Sequence, residues 1–472
     1  MASSETAAAA AADYPDSYRD WSGLPEDLLL IAMAAMEVPE LVRSGAVCRL
    51  WRSAFVTFRG LLLRSTRQPV PCLLYGRRSD AAVFLYSPST HTNYRVPLSA
   101  EAASGIVGSA YGWLFTTDFA ANPYLINPLT GARVALPPIT TLERVMGRKP
   151  VFSVDGNDDH RRRGVVYDVD FGGPYRRMVG SVTAREAREW MYRRVAMSAS
   201  PSVGAGCIVL LLHMPYQELS FARLGDERWT SLSGILRYHD CHFQDIVHNP
   251  INGLFYLLAD GWRLLRSLDL AGPSPVATNL VQLSITPYYQ LHGRLEIVRY
   301  LVVTPCGDLL LVERLWRRRP TMPVGAEWLW HNRATTNVGE DILTVAIPEE
   351  ERICDVSTVL MRLSRLRYPQ FVLQEKLPNG VGADHALFLG YGGATVCLTV
   401  DDYHPMIRGN CAYLTDDSDQ TYSLPCRWLD HGIWDFGSSS SDRSLQKLID
   451  VWRLHHPLAN SPVPIWITPS LD

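Results

Sequence analysis

From Pro71 onward the chain is written in short apolar runs cut by Gly, Pro, Asn and Asp. That pattern confines it to folds assembled from small sheets. Two stretches repeat the same grammar: Phe84–Leu98 and Tyr124–Pro138 each have an apolar strand, an x-Pro turn, a Thr, then Arg-Val and a closing Pro. Their turn prolines, Pro88 and Pro128, stand 40 residues apart. A third echo, Asn249-Pro250-Ile251-Asn252-Gly253, puts its proline 122 residues beyond Pro128, close to three such periods. It is given little weight, since it need not be the same turn of its unit. A small sheet cannot bury both of its faces alone, but a ring of such sheets can. A period near 40 residues with several short strands therefore predicts a mainly β chain and a β-propeller of about six to eight blades.

The predicted strands are Cys72–Tyr75, Ala82–Tyr86, Trp113–Thr117, Pro123–Ile126, Val165–Val169, Cys207–His213, Leu219–Leu224, Gly253–Leu258, Arg263–Asp269, Tyr300–Thr304, Asp308–Glu313, Ala386–Leu389, Thr395–Thr399 and Cys411–Leu414. Two hairpins are read around Gly261 and around Cys306-Gly307-Asp308, where turn chemistry separates apolar runs. Helices are predicted at Thr183–Tyr192 and Ser444–Leu454, and loops at Asp155–Arg163, Ala271–Gly293, Arg317–Glu340 and Ser438–Ser441. Propeller rings often close by pairing the last strand with the first, which singles out Ile465–Thr468 beside Cys72–Tyr75.

The stretch Trp21–Phe58 follows another rule. Pro25 suits a first helical turn, and Glu26 and Asp27 place negative charge at the positive end of the helix dipole. Leu28, Ala32 and Met36 recur every four residues as one stripe. Pro39 stops that helix and opens a second with Leu41 and Val42; a third carries Val47, Leu50, Trp51 and Phe55, with Gly60 as a stop. Three such short helices cannot bury Leu28, Leu29, Leu30, Ile31, Met33 and Met36 among themselves. The leftover apolar face is covered either by the β body or by a separate partner. Residues 1–17 read as a disordered tail.

The chain has 472 residues, 47% of them hydrophobic, with 13 Trp and 21 Tyr, so it can bury a sizeable core. Its net charge of −3 argues against bulk nucleic-acid or membrane-surface binding. The runs Arg161–Arg163 and Arg317–Arg319 read as solvated loops. Nine cysteines without a CxxC pair fit reduced thiols, hence nucleus or cytoplasm. No apolar run is long enough to span a membrane, and the Ala-rich start lacks a basic n-region.

Chemistry-bearing patterns are sparse. There is no GxSxG, P-loop, HExxH or EF-hand pattern, so no catalytic residue, cofactor or metal ligand is assigned. His239-Asp240-Cys241-His242 is the densest potential metal cluster and reads as a loop, as do Asp416, Asp417 and Asp419. Gly390-Tyr391-Gly392-Gly393 precedes a strand and reads as a turn.

The run Leu24-Pro25-x-Asp27-Leu28-Leu29, then Leu41-Val42-Arg43 and Val47-Cys48-Arg49-x-Trp51-Arg52, resembles an F-box over residues 18–62. The resemblance implies binding of a Skp-type adaptor and, through it, a cullin–RING ubiquitin ligase. The positions it carries over are Leu24, Pro25, Leu28, Leu29, Met36, Leu41, Val47, Cys48 and Trp51. Ala32 stands where a large aliphatic residue is usual, and Met36 where Leu is usual; the smaller and softer side chains weaken the implied adaptor contact by ~1–3 kcal/mol where the site does not repack. Over residues 68–471, Tyr111-Gly112-Trp113-Leu114, Asn127-Pro128-Leu129-Thr130-Gly131, Phe243-Gln244-Asp245, the run Gly307–Val312, the run Ala386–Gly390, the run Gly409–Asp417 and Ile465–Leu471 occur in an order similar to the plant F-box proteins with a KIB-type β-propeller. The stretch after Asp417 departs from that pattern until Ile465. The implied role is the non-catalytic substrate-recognition subunit of a Skp–cullin–F-box ubiquitin ligase, with propeller loops holding a target protein. The alternative is a non-degradative partner-binding inhibitor, for example of a kinase, on the same propeller.

Overall fold

A computed structural model describes residues 21–62, 69–77, 82–153, 162–172, 177–236, 243–259, 264–282, 295–317, 354–365, 372–377, 380–390, 392, 395–403, 406–415, 432–437 and 464–471. The expected tail, the helix Ser444–Leu454, the loop Ser438–Ser441, the cluster at 239–242 and the acidic string at 416–419 lie outside the described residues. The chain divides into two compact units, Met1–Arg67 and Gln68–Asp472.

The first unit holds α1 (Glu26–Ala34), α2 (Val38–Ser44) and α3 (Arg49–Leu62). Pro25 is the N-cap of α1 rather than a residue of its first turn. The Glu40 carboxylate accepts from the Glu37 N–H at 3.2 Å, tying down a main-chain donor at the start of α2.

The second unit is a ring of sheets. Among the described residues there are seven: six of four strands and one of three. The first sheet is completed from far along the chain: Ile465–Ile467 pairs antiparallel with Cys72–Arg77, in the register Cys72–Ile467, Leu73–Trp466 and Leu74–Ile465. The predicted closure is therefore present. Among the described residues, none of the three-stranded sheet (Val145–Ser153, Arg162–Asp170, Val179–Thr183) lines the central channel. The inner strands of the second and fourth sheets, Gly108–Ala110 and Tyr192–Met197, meet directly. A Cβ built at Gly108 would lie 2.5 Å from a Val195 methyl. The last sheet is irregular: His385–Leu389 runs parallel to Cys411–Leu414, and Val396–Thr399 takes the inner position.

The core is layered between neighbouring sheets. Leu85, Leu114, Phe388, Tyr413 and Trp466 fill the space around the closing sheet. Phe115, Tyr167, Val169, Tyr192 and Leu211 pack the three-stranded sheet between its neighbours. Three further layers follow, among them Phe221 with Phe255, Leu258 with Leu301, and Val312 with Leu389. Each fully buried aliphatic or phenyl side chain contributes roughly 1.5–3 kcal/mol of burial.

Polar staples cross the same boundaries. The Arg299 guanidinium donates to Glu313 at 2.8 Å and to Gln244 of the preceding sheet at 3.0 Å. Asn127 donates from its amide to the Ser470 carbonyl at 3.1 Å. Several of the segments that carry the resemblance, Phe243-Gln244-Asp245, Asn127–Gly131 and Ile465–Leu471, thus hold one sheet to the next.

The predicted hairpins around 261 and 307 pair as expected. Gly307 takes φ +90°, a turn conformation open to glycine. The predicted helix at 183–192 is a short helix (Ala184–Glu186), capped by the Thr183 hydroxyl, followed by a wider turn over Ala187–Met191. Two expected loops are corrected: Val276–Gln282 is an edge strand inside the stretch read as Ala271–Gly293, and the strand Arg162–Asp170 begins inside the stretch read as Asp155–Arg163. The first is an edge strand with too many polar and small residues to announce itself, and the second, central in its sheet, starts in the basic run at Arg162-Arg163.

Candidate functional site

Two surfaces have the character of sites, one on each unit. On the helical unit, Leu29, Met33, Leu41 and Ala54 are buried and form its small core. Their neighbours in sequence point the other way: Leu28 is 51% exposed, Ile31 68% and Val47 60%. The apolar content exceeds what three helices can cover, as the sequence implies.

The carried-over positions therefore divide by role. Leu28, Val47 and Pro25 are exposed, and Leu24, Met36, Cys48 and Trp51 are half-buried. Leu29 and Leu41 are fully inside, so they hold the helices and do not face a partner. Ile31, which the motif reading left aside, is exposed on α1. The Trp51 indole N–H donates to the Trp21 carbonyl at 3.0 Å, fastening the entry segment to α3. Thr57 on α3 donates to the Glu26 carboxylate at 3.2 Å, fastening the start of α1.

On the ring, six inner strands surround a channel of about 420 Å³. Its wall is mostly apolar, including Val195, Val247, Val303 and Val396, with Ser109, Thr304 and Thr395 as polar points. Among the described residues, the titratable side chains on that wall are Tyr111, His248 and Cys397. Burial pushes the Tyr111 phenol up to about 12, the Cys397 thiol up to about 12 and the His248 imidazole down to about 4. All three are thus neutral near neutral pH. A protonated thiol is a poor nucleophile. Among the described residues no group of three or more His, Cys, Asp or Glu side chains is arranged to hold a metal ion. No helix among them is long and apolar enough to cross a membrane. The described lining of the channel suits neutral, apolar groups.

A model of the family described as KIB1-4 beta-propeller matches residues 85–435. The chain belongs to that family. An F-box protein of Arabidopsis thaliana is similar to this KIB1-4 propeller chain at 27% identity, over 26% of this chain and 32% of the relative. The matched stretch is thus about a third of that relative's length. Another Arabidopsis protein bearing an F-box name is 24% identical over 63% of this chain and 71% of its own length. The β-propeller domain of Cps50 (Swd1) from Myceliophteria thermophila aligns at 10% identity and a TM-score of 0.21, covering 54% of this chain and 84% of that domain. The kinship with plant F-box proteins that carry a KIB-type propeller, expected from the ordered motifs, holds.

Proposed function

We propose that this chain is the substrate-recognition subunit of a Skp–cullin–F-box ubiquitin ligase. The helical unit binds a Skp-type adaptor, and the propeller presents a target protein. The observation that carries the reading is the split of α1 and its neighbours into a buried set, Leu29, Met33 and Leu41, and an exposed apolar set, Leu28, Ile31 and Val47. An exposed aliphatic face on so small a unit calls for a partner surface. F-box relatives and a KIB1-4 propeller support the same assignment. The role is non-catalytic: the chain brings a target to a ligase whose chemistry lies elsewhere. The free thiols of Cys72, Cys207, Cys397 and Cys411, all buried, suit a reducing nuclear or cytoplasmic setting.

The test is a pull-down of the purified chain with a Skp-type adaptor. Leu28→Asp combined with Val47→Asp should abolish capture while circular dichroism stays unchanged, since both positions are exposed. Capture that survives this double variant would refute the adaptor face. Absence of capture by the wild-type chain would put the partner-blocking inhibitor reading first.

A further inference from the structure

The two faces of the ring differ in chemistry. Five of the six inner strands, Gly108–Ala110, Tyr192–Met197, Phe243–Asn249, Leu295–Val303 and Ile465–Ile467, end on one face. The segments that follow them are Tyr111-Gly112, Ser198–Cys207, Pro250–Gly253, Thr304–Asp308 and Thr468–Leu471. Four of these contain no Asp, Glu, Lys or Arg, and the other has Asp308 alone, at the far end of its turn. They surround the channel mouth, and two of them raise apolar side chains into solvent: Val203 is 57% exposed and Ile251 65%. The other charges on this face include Asp401, which follows the sixth inner strand, Val396–Thr399, and, further out, Asp226, Glu227 and Arg228. The opposite face carries charge in its connections: Glu101, Asp118, Arg185, Glu186, Arg188 and Glu189.

These turns are also locked to one another. The Tyr111 hydroxyl donates to the Ser198 carbonyl at 3.2 Å, and the Asn249 amide donates to the Gly307 carbonyl at 2.8 Å. A preformed surface of this kind binds without first having to be ordered.

We propose that this face is the target-docking face of the propeller, and that its occupant is an uncharged segment of another protein that seats an apolar side chain in the channel mouth. The proposal rests on the substrate-receptor reading above and names the surface and the chemistry of the target. An acidic segment at the channel mouth would give up its hydration and meet no opposite charge there, and a basic one would meet only Asp308 and Asp401 on one side. An uncharged centre within a charged rim is how protein interfaces are laid out. A second copy of this chain does not fit the role, because two channel mouths laid together put cavity against cavity and leave both unfilled.

The test uses a phage-displayed library of random dodecapeptides panned on the full chain. Recovered peptides are expected to be poor in Asp, Glu, Lys and Arg and to carry a large apolar residue. Their affinity should change less than about twofold between about 50 mM and about 500 mM NaCl, since an uncharged peptide forms no charge pair to screen. Val203→Glu with Ile251→Asp should weaken them by roughly tenfold or more, with folding verified by circular dichroism. Arg185→Glu with Glu189→Arg on the opposite face should leave them unchanged. Charge-rich peptides, peptides insensitive to the first pair, or a wild-type dimer that Val203→Glu with Ile251→Asp converts to monomer by sedimentation would overturn the proposal. Failure of the adaptor reading is told apart by Leu28→Asp, which should leave peptide binding intact.

Discussion

The Asp245 carboxylate accepts a hydrogen bond from the main-chain N–H of Leu301 at 2.6 Å, across the boundary between two neighbouring sheets of the ring. Its other oxygen lies 3.5 Å from the Arg194 guanidinium of the sheet on the far side. One buried carboxylate therefore joins three successive sheets. Burial pushes its pKa up, and Arg194 and the main-chain N–H groups of Leu301 and Ile246 oppose that rise.

Asp245→Ala removes the shared acceptor and leaves Arg194 without its carboxylate in a buried setting. The expected loss is about 3–5 kcal/mol of stability, read by urea unfolding of the propeller. Asp245→Asn keeps an acceptor for the Leu301 N–H and should cost less. Equal losses for the two variants would show that the charge contributes nothing.

Acid should loosen the ring through His213. The ring is fully buried; its Nδ1–H donates to the Met214 carbonyl at 3.1 Å, so the neutral Nε2 accepts from the Ser220 hydroxyl at 2.9 Å. Burial pushes the imidazole from 6.5 down to about 4. A depressed histidine pKa favours the fold above the unfolded value and withdraws that contribution as pH falls from about 6.5 towards about 4. Near pH 5 the loss is about 2 kcal/mol. Stability measured at about pH 7 and about pH 5 should show this difference, and His213→Gln should flatten it.

The closing strand is a third point of attack. Trp466 is buried, with its ring 5.0 Å from Phe388 and 6.4 Å from Tyr413, edge-on to both. Trp466→Ala should cost about 3–5 kcal/mol. Removal of residues 464–472 strips Cys72–Leu74 of their inner partner and should abolish a single cooperative unfolding transition. A truncated chain that still melts in one step would count against closure as a source of stability.

In the helical unit, Leu29→Ala and Leu28→Ala should behave oppositely. Leu29 is buried, and its truncation should cost about 2–5 kcal/mol and shift the thermal melt of that unit. Leu28→Ala should leave the melt within about 0.5 kcal/mol and weaken adaptor capture. If the melt follows Leu28 instead, the assignment of faces is reversed.

The sequence made the middle of each sheet readable and left its edges obscure. Trp113–Thr117, Pro123–Ile126 and Cys411–Leu414 were predicted with the bounds they have. These strands are covered on both sides, so they read as near-continuous apolar runs. Gly108–Ala110 and Phe243–Asn249, which face the channel, and Arg133–Ala135 and Thr230–Ser231, at the outer rim, went unread. One side of each meets solvent or the cavity, and small or polar residues suffice there. The repeat between Pro88 and Pro128 was sound because both turns join the third and fourth strands of their sheets. Asn249–Gly253 instead joins the first and second, so its spacing was a coincidence of turn chemistry. For the helical site, the motif gave the stretch, but only the packing separates Leu29 and Leu41 from Leu28 and Val47. A heptad of leucines and methionines does not say which of its faces will be the inside.

The pairing of Leu73 with Trp466 also sets a clock on synthesis. The strand Cys72–Arg77 leaves the ribosome long before Ile465–Ile467, which completes its sheet, has been translated. At ordinary elongation rates the interval is roughly 20–80 s. During that time Leu73 and Leu74 present an unpaired, apolar strand edge, open to any other strand nearby. The nascent propeller is therefore a natural client for chaperones that shield strand edges, and slowing translation downstream of Arg77 should lengthen its exposure in proportion.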